Sequence, residues 1–117
     1  MEPQERERKI RTLLGFAQRS GKLVSGDDLV LAYVKKGRAK LVIAAQDAAW
    51  NTKKEFYHII TKTSVPWYPW GEKAAIGWAI GKSPRALVAL TDEGFAAALA
   101  ELLQQQPLGK KEEWLNG

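Results

Sequence analysis

The stretch Lys40-Leu41-Val42-Ile43-Ala44-Ala45-Gln46-Asp47 decides the fold. Its apolar run is short and shows no 3.6-residue period, so it reads as a strand buried on both faces, closed by the polar pair Gln46-Asp47. Ala86-Leu87-Val88-Ala89-Leu90 is a second run of the same kind. Segments of helical spacing surround these two. Ile10, Leu13, Leu14 and Ala17 mark a helix over residues 5–20, with Gly21 as its stop. Leu23-Val24 makes a very short extended piece. Ser25 caps the next helix, with Asp28 completing a box-like pattern. Leu29, Val30, Tyr33 and Val34 form its buried stripe, and Lys35, Lys36 and Gly37 close it. Asn51 or Thr52 caps a further helix, whose inner face carries Phe56, Ile59, Ile60 and Thr63. Val65-Pro66-Trp67-Tyr68-Pro69-Trp70 is extended, and its prolines place it at a sheet edge. A short helix spans Glu72 to Ile80. Thr91-Asp92 caps a last helix bearing Phe95, Leu99, Leu102 and Leu103. Residues 106–117 read as a loose C-terminal tail after a single domain over 1–105. The alternation of helices with apolar strands predicts an α/β fold of three layers, α/β/α.

Composition narrows the function. With 117 residues, 45% of them hydrophobic and 26% charged, the chain has the balance of one globular domain. Zero cysteines exclude disulfides, thiolate metal sites and a Cys nucleophile, and a single histidine excludes a multi-His metal site. No apolar run has the length of a membrane span, and the polar N-terminus lacks a signal-peptide pattern, so the expected location is cytoplasmic, with no membrane partner. The net charge is +5. Residues 22–62 hold Lys22, Lys35, Lys36, Arg38, Lys40, Lys53, Lys54 and Lys62 against Asp27, Asp28, Asp47 and Glu55, which puts +4 in this segment. A basic stretch of that kind points to nucleic acid.

Catalytic motifs fail on spacing. A phosphate loop needs four residues between its glycines; Gly15 to Gly21-Lys22 has five and Gly77 to Gly81-Lys82-Ser83 has three. No G-x-G-x-x-G occurs. Asp27 and Asp28 suit a helix start and Asp47 a strand end rather than a metal, and His58 reads as a surface residue with no nucleophile to serve. The chain is therefore expected to be no enzyme and to use no cofactor or metal. Of the tryptophans, Trp67 and Trp78 are expected to pack on the sheet, and Trp50 and Trp70, in connecting turns, to be exposed. Two basic features stand out instead. One is Gly21-Lys22-Leu23-Val24-Ser25-Gly26 together with Gly37-Arg38-Ala39-Lys40; the other is Gly81-Lys82-Ser83-Pro84-Arg85. Free amides at a helix start attract anions, but Asp27 and Asp28 would repel a phosphate there. Base edges, which carry amino and imino donors, suit those carboxylates better, with flanking lysines on the backbone.

Three runs carry a family likeness: Leu13-Leu14-Gly15-Phe16-Ala17-Gln18-Arg19-Ser20-Gly21-Lys22-Leu23-Val24-Ser25-Gly26, Lys36-Gly37-Arg38-Ala39-Lys40-Leu41-Val42-Ile43-Ala44-Ala45-Gln46-Asp47, and Asn51-Thr52-Lys53-Lys54. Ile76 to Arg85 and Val88 to Phe95 continue it. Over roughly residues 9–103 the chain resembles the ribosomal L-seven-Ae family of kink-turn RNA binders, nearest its small bacterial YlxQ-like branch. The resemblance implies an α/β/α sandwich around a mixed four-stranded sheet. It also implies binding to a sharply bent RNA helix–internal loop–helix. In that family a Gly-x-Asn-Glu-x-x-Lys signature opens the second helix and reads tandem sheared G·A pairs, and a late apolar loop covers a flipped-out base. Here Gly26 matches, whereas Asp28, Leu29 and Ala32 stand at the Asn, Glu and Lys positions, and the late loop is the basic Lys82-Ser83-Pro84-Arg85. The expected RNA-binding residues are Lys22, Ser25, Gly26, Asp27, Asp28, Lys36, Arg38, Lys53, Lys82, Ser83 and Arg85. The implied function is that of a monomeric, non-catalytic binder of ribosomal or other structured RNA, in a ribonucleoprotein and at the ribosome. The alternative is a protein-interaction module on the same fold whose RNA readout is lost.

Overall fold

The computed structural model describes residues 1–105 and 111–116. In chain order the elements are α1 (Pro3–Arg19), β1 (Leu23–Ser25), α2 (Asp27–Lys35), β2 (Leu41–Ala44), α3 (Trp50–Ile60), β3 (Trp67–Pro69), α4 (Lys73–Ala79), β4 (Leu87–Leu90), α5 (Glu93–Gln104) and α6 (Lys111–Asn116). The strands form one mixed sheet in the order β1-β4-β2-β3, with β4 antiparallel to both neighbours and β3 parallel to β2. The first three strands thus all run toward one rim of the sheet. Helices cover both faces, which is the three-layer α/β sandwich that the strand pattern predicts.

All eight residues of β2 and β4 are fully buried. Alternation sorts them between two cores. Leu41, Ile43, Val88 and Leu90 meet Ile10, Leu14, Ile76, Leu99 and Leu103 from α1, α4 and α5. Val42, Ala44, Leu87 and Ala89 meet Val30, Val34, Phe56 and Trp114 from α2, α3 and α6. Each fully buried Leu, Ile or Val contributes about 1.5–3 kcal/mol, so these two strands anchor the domain. β3 closes the sheet as an edge. The Pro66 carbonyl accepts from the Val42 amide at 3.0 Å, and the Trp70 amide donates to Ala44 O at 3.0 Å. Asp92 caps α5, its Oδ2 accepting from the Phe95 amide at 2.9 Å.

Several local expectations are overturned. Ser25 ends β1 and does not cap α2, whose N-cap is Gly26. The first turn of α3 starts at Trp50 behind Ala49, so neither Asn51 nor Thr52 caps it. In α2 the buried stripe is Val30, Leu31 and Val34; Leu29 lies one position off that stripe and is 46% exposed. Two tryptophans exchange places. Trp78 stands two positions from each of the inward Ile76 and Ile80, hence on the opposite side of α4, and is 84% exposed. Trp70 is buried in the α1 core, where its Nε1 donates to Glu7 Oε2 at 2.6 Å. Trp67 is buried and Trp50 exposed, as read.

The reading of 106–117 as a loose tail does not hold for Lys111–Asn116, which forms α6; residues 106–110 and 117 lie outside the described residues. Trp114 anchors α6. It packs edge-on to Trp67 (5.1 Å between centroids) and Phe56 (5.8 Å), and its Nε1 donates to Ala45 O at 2.9 Å. No helix among the described residues is long and apolar enough to cross a membrane. Truncating a buried Trp to Ala typically removes about 3–5 kcal/mol. Trp114→Ala is therefore expected to lower stability by about that amount, measured as a fall in the urea midpoint. An unchanged midpoint would show that α6 contributes nothing to the core.

Candidate nucleic-acid interface

β1, β2 and β3 all end on one rim of the sheet, and α2, α3 and α4 all begin there. β4 starts at the same rim, so the loop before it joins the group. Between these ends lies an open cleft of about 480 Å³, lined by Ser25, Gly26, Asp27, Ala49, Thr52, Lys73, Pro84, Arg85 and Ala86. The partial positive ends of the α2 and α3 helices face it.

Gly26 makes the corner. It has φ +100° and ψ 148°, a conformation that a Cβ strains, and its amide donates to Leu87 O at 3.0 Å. A Cβ there would meet nothing within 4 Å, so glycine is required by the backbone, and the space above it is open to a ligand. Gly77 answers a different need. A Cβ on it would collide with the Ser83 carbonyl and sit 2.9 Å from Lys82 O. Its absence lets the loop Lys82–Arg85 fold down on α4, where the Lys82 amide donates to Gly77 O at 2.8 Å.

Arg85 ties this loop to β1. Its Nε donates to Ser25 Oγ at 3.2 Å, and its Nη1 to Ser83 Oγ at 2.7 Å and Ser83 O at 3.1 Å. Across the cleft Thr52 Oγ1 donates to Asp27 Oδ2 at 2.8 Å. Asp47 Oδ1 accepts from the Lys73 amide at 2.8 Å, capping α4 in place of Glu72, whose side chain does not. Thr52, Lys73 and Asp47 were not among the residues expected to bind. No local spacing links them to Asp27 or Arg85; only the strand order does. Among the described residues, no three His, Cys, Asp or Glu side chains gather to hold a metal ion.

The structure divides the expected binding residues. Ser25, Gly26, Asp27 and Arg85 line the cleft, with Lys82 and Ser83 exposed on the loop beside it and Asp28 exposed on the first turn of α2. Lys22, Lys36 and Arg38 do not join them. They flank the opposite rim, where β1 and β2 begin, roughly 13 Å away by the rise of a four-residue strand or a nine-residue helix. Lys53 is also elsewhere. It is 3% exposed, lies over the Trp114 ring, and donates to Trp114 O at 2.8 Å. His58 is exposed, with Nε2 3.1 Å from Lys62 Nζ.

Comparison with known proteins matches residues 8–100 to the Ribosomal protein L7Ae/L30e/S12e/Gadd45 family. The "RNA-binding protein YlxQ" of Bacillus subtilis is 44% identical over 91 residues, covering 78% of this chain and 91% of that one. The large ribosomal subunit protein eL30 of Spodoptera frugiperda is 34% identical, covering 83% and 88%. A solved structure of a Bacillus halodurans protein of unknown function superposes with a TM-score of 0.79 at 34% identity, covering 83% of this chain and 98% of that one.

The cleft geometry makes Gly77 the seat of the loop. Gly77→Ala is expected to lift Lys82–Arg85 off α4, so that trypsin cuts after Lys82 several-fold faster than in the unaltered protein. Cleavage at the same rate would mean that the loop is held by Arg85 alone.

Proposed function

This chain belongs to the Ribosomal protein L7Ae/L30e/S12e/Gadd45 family, in its bacterial YlxQ-like branch, and on that basis we propose that it is a non-catalytic RNA-binding protein that takes structured, kink-turn-like RNA in the cleft at Gly26. The observation that carries this reading is the open corner at Gly26, flanked on one side by Asp27 and on the other by Arg85. Gly26 leaves room for a nucleotide to approach the backbone. Asp27 and the exposed Asp28 offer acceptors to base amino and imino groups, and the guanidinium of Arg85 with Lys82 and Lys73 supplies charge for phosphates. The names of its relatives favour the same class of ligand.

The finer assignments follow from this one. Residues 1–105 supply the whole RNA-binding surface of one domain, working as a monomer in the cytoplasm, within a ribonucleoprotein and in a ribosomal setting. A second reading, a protein-interaction module, draws support from Leu29, apolar and exposed on the first turn of α2 where the family signature carries glutamate. Partners that stay bound after RNase treatment would favour it.

The deciding experiment titrates a labelled kink-turn RNA at two salt concentrations, beside a control whose tandem G·A pairs are replaced by Watson–Crick pairs. Binding to the kink turn is expected to be tighter than to the control and to weaken steeply with salt, because Lys and Arg contacts release counterions. Equal binding to both RNAs would leave a general basic surface, and no binding at low salt would sink the proposal. Leu29 and Ala32 give a gain-of-function arm. Leu29 is exposed and Ala32 half-buried, so Leu29→Glu with Ala32→Lys restores two of the three departing signature positions at little structural cost, with Asp28 left in place. It is expected to raise discrimination between the two RNAs about tenfold, the scale of one good base contact.

A further inference from the structure

The rim opposite the cleft gathers the cations that the cleft does not use. Arg19 closes α1, Lys22 precedes β1, Lys35 and Lys36 end α2, Arg38 and Lys40 lead into β2, and Lys62 follows α3. The Thr91 amide donates to Lys22 O at 2.9 Å and the Lys40 amide to Leu90 O at 2.7 Å, so the chain on either side of β4's end is basic. The carboxylates near this rim are Glu55, Asp92 and Glu93, and Asp92 is engaged in capping α5. Among the described residues none of the seven cations enters an ion pair; the pair found joins Lys9 to Glu5 on α1. Helix C-termini attract cations, and that accounts for Arg19 and Lys35. It does not account for Lys22, Arg38 and Lys40, which stand in connections outside any helix.

The chemistry of the rim selects its partner. Protein-binding surfaces centre on exposed aromatic and aliphatic anchors. Of the large exposed apolar residues, Leu29 and Trp50 belong to the first turns of α2 and α3, on the cleft side, and Trp78 to α4; Phe16, 49% exposed near the end of α1, is the aromatic at this rim, and Arg19 lies over its ring. Arg38 stacks on Tyr33 (4.8 Å) and Arg19 on Phe16 (4.9 Å), which holds each guanidinium by its face and leaves its charge unneutralised. Lys22 and Lys40 lead into strands two places apart in the sheet, roughly 10 Å, and the entry to β3 lies one strand further. A row of that length spans several phosphates of a duplex.

We propose that this second rim binds the sugar-phosphate backbone of a separate RNA helix, so that the protein bridges two RNA segments held on opposite ends of its sheet. The proposal extends the RNA-binding reading and rests on it for the first segment only.

The test saturates the protein with a kink-turn RNA and then titrates a labelled, perfectly paired RNA duplex at two salt concentrations. It is run on the unaltered chain and on the triple variant Lys36→Glu, Arg38→Glu, Lys40→Glu, with a second variant carrying Gln at the three positions. All three side chains are exposed, and a thermal melt verifies folding. The expected result is a ternary complex that the Glu variant weakens at least about tenfold. In the Gln variant, the slope of log affinity against log salt is expected to be shallower by about three. Affinity for the kink turn is expected to fall less in either variant than in Arg85→Ala. Three results would overturn the proposal: undiminished duplex binding by the variants, competition of the two RNAs for one site, or displacement of the duplex by polyglutamate as readily as by unlabelled RNA, which would assign the rim to an acidic protein. Titrating the duplex onto the free protein keeps the arms separate. Loss of kink-turn binding alone speaks against the cleft, and indifference of the duplex to Lys36, Arg38 and Lys40 speaks against the rim.

Discussion

Everything else in the molecule depends on the complete burial of β2 and β4 on both faces. A strand apolar on both sides cannot tolerate solvent on either, so helices must cover the sheet twice over. Once they do, the connections have only the two rims of the sheet to run along. The parallel run of β1, β2 and β3 then sends three helix beginnings to one rim and three helix ends to the other. The separation of an acceptor-bearing cleft from a lysine-rich rim is thus a product of topology before it is a product of individual side chains.

Within the cleft, charged groups are satisfied by neutral partners. Arg85 donates to serine hydroxyl and carbonyl oxygens, Asp27 accepts from a threonine, and Asp47 accepts from a backbone amide. Such bonds fix the side chains while leaving their full charge to act outward. Mutual ion pairing would cancel the outward field of these groups; hydrogen bonding to uncharged groups orders them without doing so.

What could be read from the residues was what local physics determines. The buried strands, the proline-marked edge and the Asp92 cap each depend on a handful of adjacent positions. Gly26 was legible too, although as part of a motif and not as a strained corner. The misreadings share one cause. Trp70 and Trp78 look alike in sequence; the exposure of Trp78 turns on which side of a seven-residue helix faces α1, and the burial of Trp70 on its contact with Glu7, 63 residues earlier. Thr52 suits a cap in sequence, yet it stands inside the first turn of α3 and its hydroxyl donates to Asp27, 25 residues earlier. Lys53 belongs to a basic run, yet its destination was fixed by Trp114, 61 residues later. Contacts between segments that far apart leave no periodicity and no motif behind.

The tryptophans carry one more consequence. Trp67, Trp70 and Trp114 are buried, whereas Trp50 and Trp78 face solvent. The protein therefore holds two optical populations in one chain. The buried indoles emit from an apolar surround and are shielded from a dissolved quencher such as iodide; the exposed pair emits toward the red and is open to it. Trp50 begins α3 beside the cleft-lining Ala49 and Thr52, so its share of the quenchable emission, the rest coming from Trp78 on α4, reports on that surface, while the shielded fraction reports on the integrity of the two cores.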